Sequence, residues 1–565
     1  MKSGKGRITK RTSGNRGYKS TWLYIPSKIS KDESFPFKNQ EKVIVELEGN
    51  QLIVKKSYSL SDLTSKYGVP DATLPDLIQS KADSNKSKPF LIFQNQKFSY
   101  SKTNQISNQI ANGLLKLIEN LDLNNPNIAI LFPNYPDAIF CWFGIAKTGN
   151  LCVPIGNNLN EDYWEYILRN SNSKILFIDY NYYLNLKKIL SDLPELKKII
   201  LRNAPKGFQF NKKLMSYQEI LSDNLKNPNL DISPSQPLEI IYTAGTTGNP
   251  KGVIYRNHHT LSGISVGRKL EGIGFNDSEH KIYCPLPLFQ STARYLVIIP
   301  VMYYNNIVII SNKFDVSTFW NDINHHKPDG FCYYGAYLSE LMNQEPKITD
   351  RKHSLKYAFG FGAFRKKWDS FERRFGIEII EGWGIAESVG LTINNIGSKG
   401  GKVGSVGIPV RGYELKIVDP NGNELPPGRN NIGEMIARTK LSIRLEYYNL
   451  KNGTNSALEK KGWTHTGDFG YRDKDNFIYF LGRKDDIIHR ENETFFALDI
   501  ERVANGHPLV INSAAFEVDL DSSQNKALKI CVEIKKGVAL SYQELHSYLK
   551  ENLAYFMVPI ELLIR

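Results

Sequence analysis

Cysteine is scarce in this sequence, and no pattern pairs the cysteines or gives them to a metal. The five residues are odd in number, widely spaced and free of any C-x-x-C pair: Cys141, Cys152, Cys284, Cys332 and Cys531. We therefore expect neither a disulfide framework nor a zinc site, and we predict a reducing, cytoplasmic setting.

Long apolar runs are also missing. The first 20 residues are basic and lack the apolar core of a signal peptide. The most apolar stretch, Tyr295 to Ile310, is broken by Tyr303 to Asn306 and is shorter than the roughly 20 residues that cross a bilayer. We interpret it as buried strands and predict no integral membrane segment.

Residues 1–20 contain no acidic residue. The whole sequence is also basic, with a net charge of +14. Such a charge suits nucleic acid, a membrane surface or an anionic ligand such as a nucleotide or coenzyme A. Residues 1–19 are predicted to form a basic disordered arm that contacts polyanions, with a solubilising tail as the alternative.

The 565 residues exceed what one hydrophobic core holds, so several domains are expected. Residues 20–56 predict a small β-rich domain with a hairpin around Glu48-Gly49-Asn50, and residues 57–71 a linker. The stretches Tyr24 to Ile29, Phe35 to Lys38 and Glu41 to Val43 resemble the AbrB-type swapped-hairpin domain. That resemblance implies a homodimer and DNA binding through residues 1–56; a β extension that only dimerises or packs on the rest of the chain is the alternative.

From residue 72 the pattern alternates helices, such as Asn104 to Leu121, with short apolar strands, such as Ile128 to Leu131 and Ile175 to Ile178. This alternation predicts an α/β fold over residues 72–484. Residues 485–565 predict a small α+β C-terminal domain.

A loop rich in glycine and hydroxyl groups follows the apolar residues Ile240 and Ile241. It reads Thr243, Ala244, Gly245, Thr246, Thr247, Gly248, Asn249, Pro250, Lys251. Glycines let backbone N–H groups approach an anion, threonines donate hydrogen bonds and the lysine adds positive charge, so the loop predicts phosphate binding. Pro250 stands where a Walker A loop needs its second glycine. A flexible surface loop is the alternative.

This loop closely resembles the first signature of the acyl-adenylate-forming enzymes, and further signatures follow in the family's order. The resemblance implies that Trp383 stacks on adenine and that Glu387 binds the magnesium accompanying ATP. It extends the nucleotide-binding set to these residues: Gly362, Ala363, Phe364, Glu381, Gly382, Gly384, Ile385 and Ala386. Ala244 and Ala386 replace a serine and a threonine of the family, which removes two hydroxyls.

Two later signatures complete the nucleotide site by the same resemblance. In Thr466-Gly467-Asp468 the aspartate would accept hydrogen bonds from both ribose hydroxyls. In Gly482-Arg483-Lys484-Asp485, Arg483 would contact the ribose, and Asp485 would be the hinge about which the small domain rotates. Taken alone, each would be an ordinary surface residue.

The resemblance, with local likeness to carnitine-CoA ligases and medium-sized acyl-CoA synthetases, implies a two-step reaction. A carboxylate attacks the α-phosphate of ATP to give acyl-AMP and pyrophosphate, and the coenzyme A thiolate then displaces AMP. Thr243, Lys251 and Glu387 would be catalytic, since together with Mg²⁺ they would stabilise charge on the phosphates.

The acyl pocket is predicted near Phe289, Gln290, Tyr333 and Gly384. Gln290 stands where many relatives have a histidine, and Gly384 stands where acetate-specific relatives have a tryptophan, so an acid larger than acetate is expected. Ordinary core packing is the alternative for Phe289 and Tyr333.

Two stretches depart from the family pattern. Arg490 to Thr494 lacks the glycines that usually flank the coenzyme A tunnel, and no G-K pair follows Tyr555 to Pro559. Three explanations stay open: a truncated sequence, impaired adenylation, or another lysine in that role. The alternative function is therefore an ATP- or acyl-CoA-sensing protein with an N-terminal DNA-binding domain.

Overall fold

The computed structural model divides the chain into two compact units, residues 1–71 and 72–565. It describes backbone pairing in four short segments of the first unit and most of the second. The described residues are 7–13, 18–24, 43–48, 51–56, 73–243, 249–276, 279–363, 365–386, 393–396, 401–410, 413–439, 446–449, 463–490, 493–519, 526–535 and 537–564.

The first unit contains two antiparallel strand pairs. Arg7–Ser13 pairs with Tyr18–Tyr24, and Val43–Glu48 pairs with Gln51–Lys56. The first pair falls partly within residues 1–19 and the second within residues 20–56, and the basic arm and the small β-rich domain stay predictions. Residues 25–42 and the predicted linker, residues 57–71, lie outside the described residues.

The second unit contains a seven-stranded sheet that is parallel except for its last pair. Its order is Leu214–Ser216, Lys198–Arg202, Ser173–Asp179, Asn127–Leu131, Cys152–Pro154, Pro237–Thr243 and Lys251–Arg256. Its central strands are apolar along their whole length, as strands covered on both faces must be.

The second unit also contains a nine-stranded mixed sheet, built from strands that precede and follow the first sheet in the chain. Its order is Ile408–Pro409, Ile393–Ile396, Glu378–Trp383, Tyr357–Phe361, Gly330–Tyr334, Lys281–Cys284, Ile307–Ile310, Pro89–Phe93 and Gln96–Ser99. The six strands from Glu378–Trp383 to Pro89–Phe93 are parallel.

Helices connect these strands, which confirms the α/β class predicted from the alternation. The longer ones are Leu74–Ser84, Tyr100–Asn120, Pro136–Lys147, Glu161–Asn170, Tyr180–Ser191, Thr260–Leu270, Val316–His326, Gly335–Met342 and Arg365–Phe375. Most begin at a polar N-cap; Thr73, for example, forms a capping box with Asp76.

The interpretation of Tyr295 to Ile310 as strands is wrong for its first part. Arg294–Ile298 is π-helical and Ile299–Tyr303 is α-helical, and only Ile307–Ile310 is a strand. The helical residues from Arg294 to Met302 are all buried. Without a solvent-facing side the stretch has no amphipathic period, so its pattern could not distinguish helix from strand.

The remaining elements form smaller sheets. Tyr413–Val418, Gly433–Thr439, Thr464–Arg472 and Ile478–Arg483 make an antiparallel four-stranded sheet. Beyond it come the pair Ile487–Arg490 and Glu493–Phe496, and a three-stranded sheet of Val510–Asp519, Lys526–Ile534 and Glu561–Ile564. Helices Ala497–Ala504 and Tyr542–Asn552 pack with these strands around one core.

The described part of the chain has no helix whose length and apolarity would let it cross a bilayer. All five cysteines are free thiols, and four of them are buried.

Candidate active site

The predicted phosphate loop joins two strands that pair with each other. Thr243 ends one strand and lies opposite Lys251, which begins the next, so residues 244–250 span the gap between paired ends. The Thr243 hydroxyl donates to the Lys251 carbonyl at 3.4 Å. The Lys251 ammonium lies 5.7 Å from the ring centre of Tyr447. Ala244, Gly245, Thr246, Thr247 and Gly248 lie outside the described residues.

Three parallel strands end beside one another at Tyr334, Phe361 and Trp383. Because the carboxyl ends of neighbouring parallel strands share one edge of a sheet, the turns that follow them converge. This topology places Gly362 and Ala363 against the predicted aromatic signature at Glu381 to Ala386.

Glu381 is the buried centre of this edge, with 4 % of its surface exposed. The backbone N–H groups of Gly362 and Ala363 donate to its two carboxyl oxygens at 2.6 and 3.1 Å, and the Tyr333 hydroxyl donates to the second oxygen. Burial raises the pKa of Glu381 to about 8, although the three donors and the Arg502 charge act in the opposite direction.

Close backbone contact with Gly335 fixes the Gly362 turn. A Cβ atom on Gly335 would lie 1.9 Å from the Gly362 carbonyl oxygen, and Gly362 itself has a φ of +84°. Only glycine fits the first position, and glycine is strongly favoured at the second. The turn predicted to bind the nucleotide is therefore held by Glu381 on one side and by Gly335 on the other.

Trp383, Asp468 and Arg483 lie in contact with one another. The Trp383 indole N–H donates to Asp468 Oδ2 at 2.7 Å, across 85 residues of sequence. Arg483 Nε lies 3.4 Å from Asp468 Oδ1, because the two residues face each other on paired strands. Trp383 is 6 % exposed and packs in the core of the four-stranded sheet.

A further contact ties the phosphate-loop strands to the aromatic signature. The Tyr255 hydroxyl, on the strand that follows the loop, donates to the Ala386 carbonyl at 2.8 Å. Sequence analysis did not identify Tyr255, since no motif marks it. Tyr255 is fully buried, and only the folded structure shows that it lies next to the predicted site.

The residues predicted for the acyl pocket have different surroundings in the described part of the chain. Tyr333 lies in the core with 0 % exposure, and its hydroxyl is used by Glu381. Gln290 accepts a hydrogen bond from the neighbouring Tyr334, and Phe289 is half-buried. A small cavity of about 10 Å³, room for about one water molecule, lies between the helix Thr260–Leu270 and the nine-stranded sheet. Its walls include Val266, Leu270, Leu296, Phe359 and Ile380.

The remaining predictions are only partly visible. Glu387, the predicted magnesium ligand, and Phe364 lie outside the described residues. Within the described ranges, His, Cys, Asp and Glu form no cluster of three or more that could bind a metal. Asp485, the predicted hinge, lies in a short 3₁₀ turn, Lys484–Asp486, directly after the strand that carries Arg483.

The chain matches a known family and several curated proteins. The model of the family described as AMP-binding enzyme matches residues 78–448. The crotonobetaine/carnitine–CoA ligase of Salmonella arizonae is 28 % identical over 503 residues, covering 85 % of this chain and 93 % of that protein. The Citrobacter koseri ligase of the same name is 28 % identical over 498 residues, with 85 % and 93 % covered.

Solved structures share the fold at lower identity. An anthranilate CoA ligase in complex with anthranoyl-AMP has a TM-score of 0.75 at 20 % identity, covering 88 % of this chain and 94 % of that one. The o-succinylbenzoate coenzyme A synthetase of Bacillus subtilis, in complex with ATP and magnesium, has a TM-score of 0.72 at 20 % identity, covering 86 % and 95 %.

Proposed function

The chain belongs to the AMP-binding enzyme family, and on that premise we propose that it is an AMP-forming acid–thiol ligase. It activates a carboxylic acid with ATP to an acyl-adenylate and transfers the acyl group to coenzyme A. The crotonobetaine/carnitine–CoA ligases that resemble it over 85 % of its length support this reaction class.

The contact between Trp383 and Asp468 carries the proposal. It joins two nucleotide signatures that are 85 residues apart, and Arg483 completes the group at 3.4 Å. A carboxylate only accepts hydrogen bonds, and by the family resemblance Asp468 would accept them from the ribose hydroxyls. The Gly362–Ala363 turn and the strands of the phosphate loop adjoin the same segment through Glu381 and Tyr255.

We propose that the acid is larger than acetate, because Gly384 leaves room where acetate-specific relatives carry a tryptophan. Phe289, Gln290 and Tyr333 stay predictions for the acyl pocket.

Magnesium and coenzyme A follow from the reaction class. Glu387 would hold the magnesium that accompanies ATP, and the metal would supply positive charge to the phosphates. Of the chain's own groups, Lys251 would offset charge on the same phosphates, and Asp468 with Arg483 would orient the ribose.

The test is ATP–pyrophosphate exchange across a series of straight-chain acids, followed by assay of acyl-CoA formation. Exchange that depends on the acid and is stronger for longer acids than for acetate is expected. Asp468→Ala should raise the KM for ATP by at least about 10-fold, the cost of one lost charged hydrogen bond. Asp475→Ala is the matched control, since that carboxylate pairs with Lys402 on the surface.

Nucleotide binding without exchange for any acid would refute the ligase and favour the sensing alternative. The family match covers residues 78–448 and does not reach residues 1–56. The AbrB-type domain, DNA binding and the homodimer therefore stay predictions.

A further inference from the structure

Residues 285–290, which we call the acyl segment, follow the strand Lys281–Cys284 and carry Phe289 and Gln290, two residues predicted for the acyl pocket. All residues of the acyl segment are described, and none of them belongs to a strand or a helix. Its place in the protein therefore depends on contacts with side chains from other parts of the chain.

Two buried polar side chains, Asn134 and Arg294, bond the backbone of the acyl segment. Asn134 Nδ2 donates to the Leu286 carbonyl at 2.8 Å, and Asn134 Oδ1 accepts from the Leu288 N–H at 2.9 Å. Arg294 Nε donates to the Leu288 carbonyl at 2.7 Å. The peptide groups on both sides of Leu288 are thus held, one by each side chain.

Arg294 also connects the acyl segment to the phosphate-loop strand. Its Nη1 donates to Glu239, which is fully buried on the strand Pro237–Thr243. That strand ends at the predicted phosphate loop and pairs with a neighbouring strand on each side. A guanidinium is planar and presents its donors in a fixed fork, so Arg294 sets the distance between the Leu288 carbonyl and this strand.

The guanidinium of Arg294 is itself fixed in place. Its central carbon lies 4.8 Å from the ring centre of Trp142, within the range of a cation–π contact. Arg294 is also the first residue of the π-helical turn Arg294–Ile298, and such turns occur frequently at functional sites. The side chain is therefore a rigid connection between its two partners.

We propose, on the basis of the proposed function, that Arg294 is a positioning residue for the acid substrate. It holds Phe289 and Gln290 at a set place relative to the phosphate loop, and so determines where the acid's carboxylate meets ATP. The strand that carries Glu239 keeps its ladder of backbone hydrogen bonds when Arg294 is lost, whereas the acyl segment loses one of its two holding side chains. The expected result is a raised KM for the acid with an unchanged KM for ATP.

The experiment is ATP–pyrophosphate exchange by the full chain, with straight-chain acids from acetate to octanoate. The pair variant Arg294→Met/Glu239→Gln removes both charges, so no uncompensated charge stays buried and the protein should fold, which its thermal midpoint checks. The KM for the acid that the wild type uses best should rise at least about 10-fold, and the KM for ATP should change less than about 2-fold. Asn134→Leu, which releases the other side of Leu288, should give the same difference between the two KM values.

The pair variant Arg374→Met/Asp350→Asn is the matched control. Arg374 Nε lies 2.6 Å from Asp350, and the same guanidinium donates to the Met342 and Glu345 carbonyls at 2.8 and 3.1 Å. This arginine has the same kinds of partner as Arg294 and does not contact the acyl segment. The control should leave the KM for the acid unchanged.

The possible failures are distinguishable. Wild-type protein that shows no exchange with any acid would refute the proposed function, and this inference with it. Wild-type exchange together with an unchanged KM for the acid in the Arg294 pair variant would refute this inference alone. Equal rises in the KM for acid and for ATP, or the same rise in the Arg374 control, would assign the effect to a general loss of stability and would also overturn it.

Discussion

Tyr333→Phe tests the electrostatics of Glu381 directly, because it removes one of three donors and leaves the aromatic ring. Glu381 is buried, and its pKa is about 8 against an ordinary value of 4.5. The pKa of this carboxyl is higher in the folded protein than in the unfolded chain. Its contribution to the stability of the folded state is complete below the unfolded pKa, and it is lost as the pH rises to the folded pKa. From pH 4.5 to 8 the wild type should lose about 5 kcal/mol from this group.

The cost of Tyr333→Phe should itself depend on pH. Below pH 8 Glu381 is protonated and the lost bond is between neutral groups, which is worth about 0.5–1.5 kcal/mol. Above pH 8 the lost bond is to a carboxylate and is worth about 1.5–3 kcal/mol. The difference of about 1.4 kcal/mol corresponds to a further rise of about one unit in the pKa of Glu381.

Urea unfolding at pH 6 and pH 9, followed by tryptophan fluorescence, measures both costs. Tyr334→Phe is the matched control, because that neighbouring hydroxyl donates to the neutral amide of Gln290. Its cost should be the same at both pH values. An equal cost of Tyr333→Phe at pH 6 and pH 9 would refute a titrating Glu381, and a pH-dependent cost in Tyr334→Phe would assign the effect to another group.

Three further predictions follow from buried groups. Arg294→Met and Glu239→Gln should each destabilise the protein by about 3–5 kcal/mol in urea unfolding, since each leaves a buried partner uncompensated. The double variant should lose less stability than the sum of the two single variants. Lys147→Met should stabilise the fold most below pH 7, because burial lowers the pKa of Lys147 to about 7. The increase in the free energy of unfolding should shrink as pH rises toward 10.5. An increase that is the same at every pH would contradict this prediction. Gly335→Ala should raise the KM for ATP at least 10-fold by displacing Gly362, and an unchanged KM would separate that turn from the nucleotide.

The fold class was predictable because it depends on local patterns. Helix Tyr100–Asn120 and strands Asn127–Leu131 and Ser173–Asp179 agree with the predicted elements to within a few residues. Each combines a clear hydrophobic period with a polar or capping boundary. Arg294–Tyr303 was not predictable in the same way, because a helix buried on every side shows no period.

The sequence names residues for the site but not the contacts between them. The signatures named Trp383, Asp468 and Arg483 for one nucleotide, and the structure brings them together. Glu381 was predicted to bind nucleotide, whereas the structure uses both its oxygens to hold the Gly362–Ala363 turn. The order of strands in the sheet decides that contact, and no local motif records it.

Trp383 is predicted to stack on adenine, whereas the structure packs its ring in the core of the four-stranded sheet, with 6 % of its surface exposed. The part of the ring with an observed polar contact is its edge, whose N–H holds Asp468 at 2.7 Å. A phenylalanine at position 383 would keep an aromatic ring in that core and release Asp468, because phenylalanine has no N–H to donate. Trp383→Phe should therefore weaken the ribose contact proposed for Asp468 and raise the KM for ATP, and an unchanged KM would separate this contact from the nucleotide.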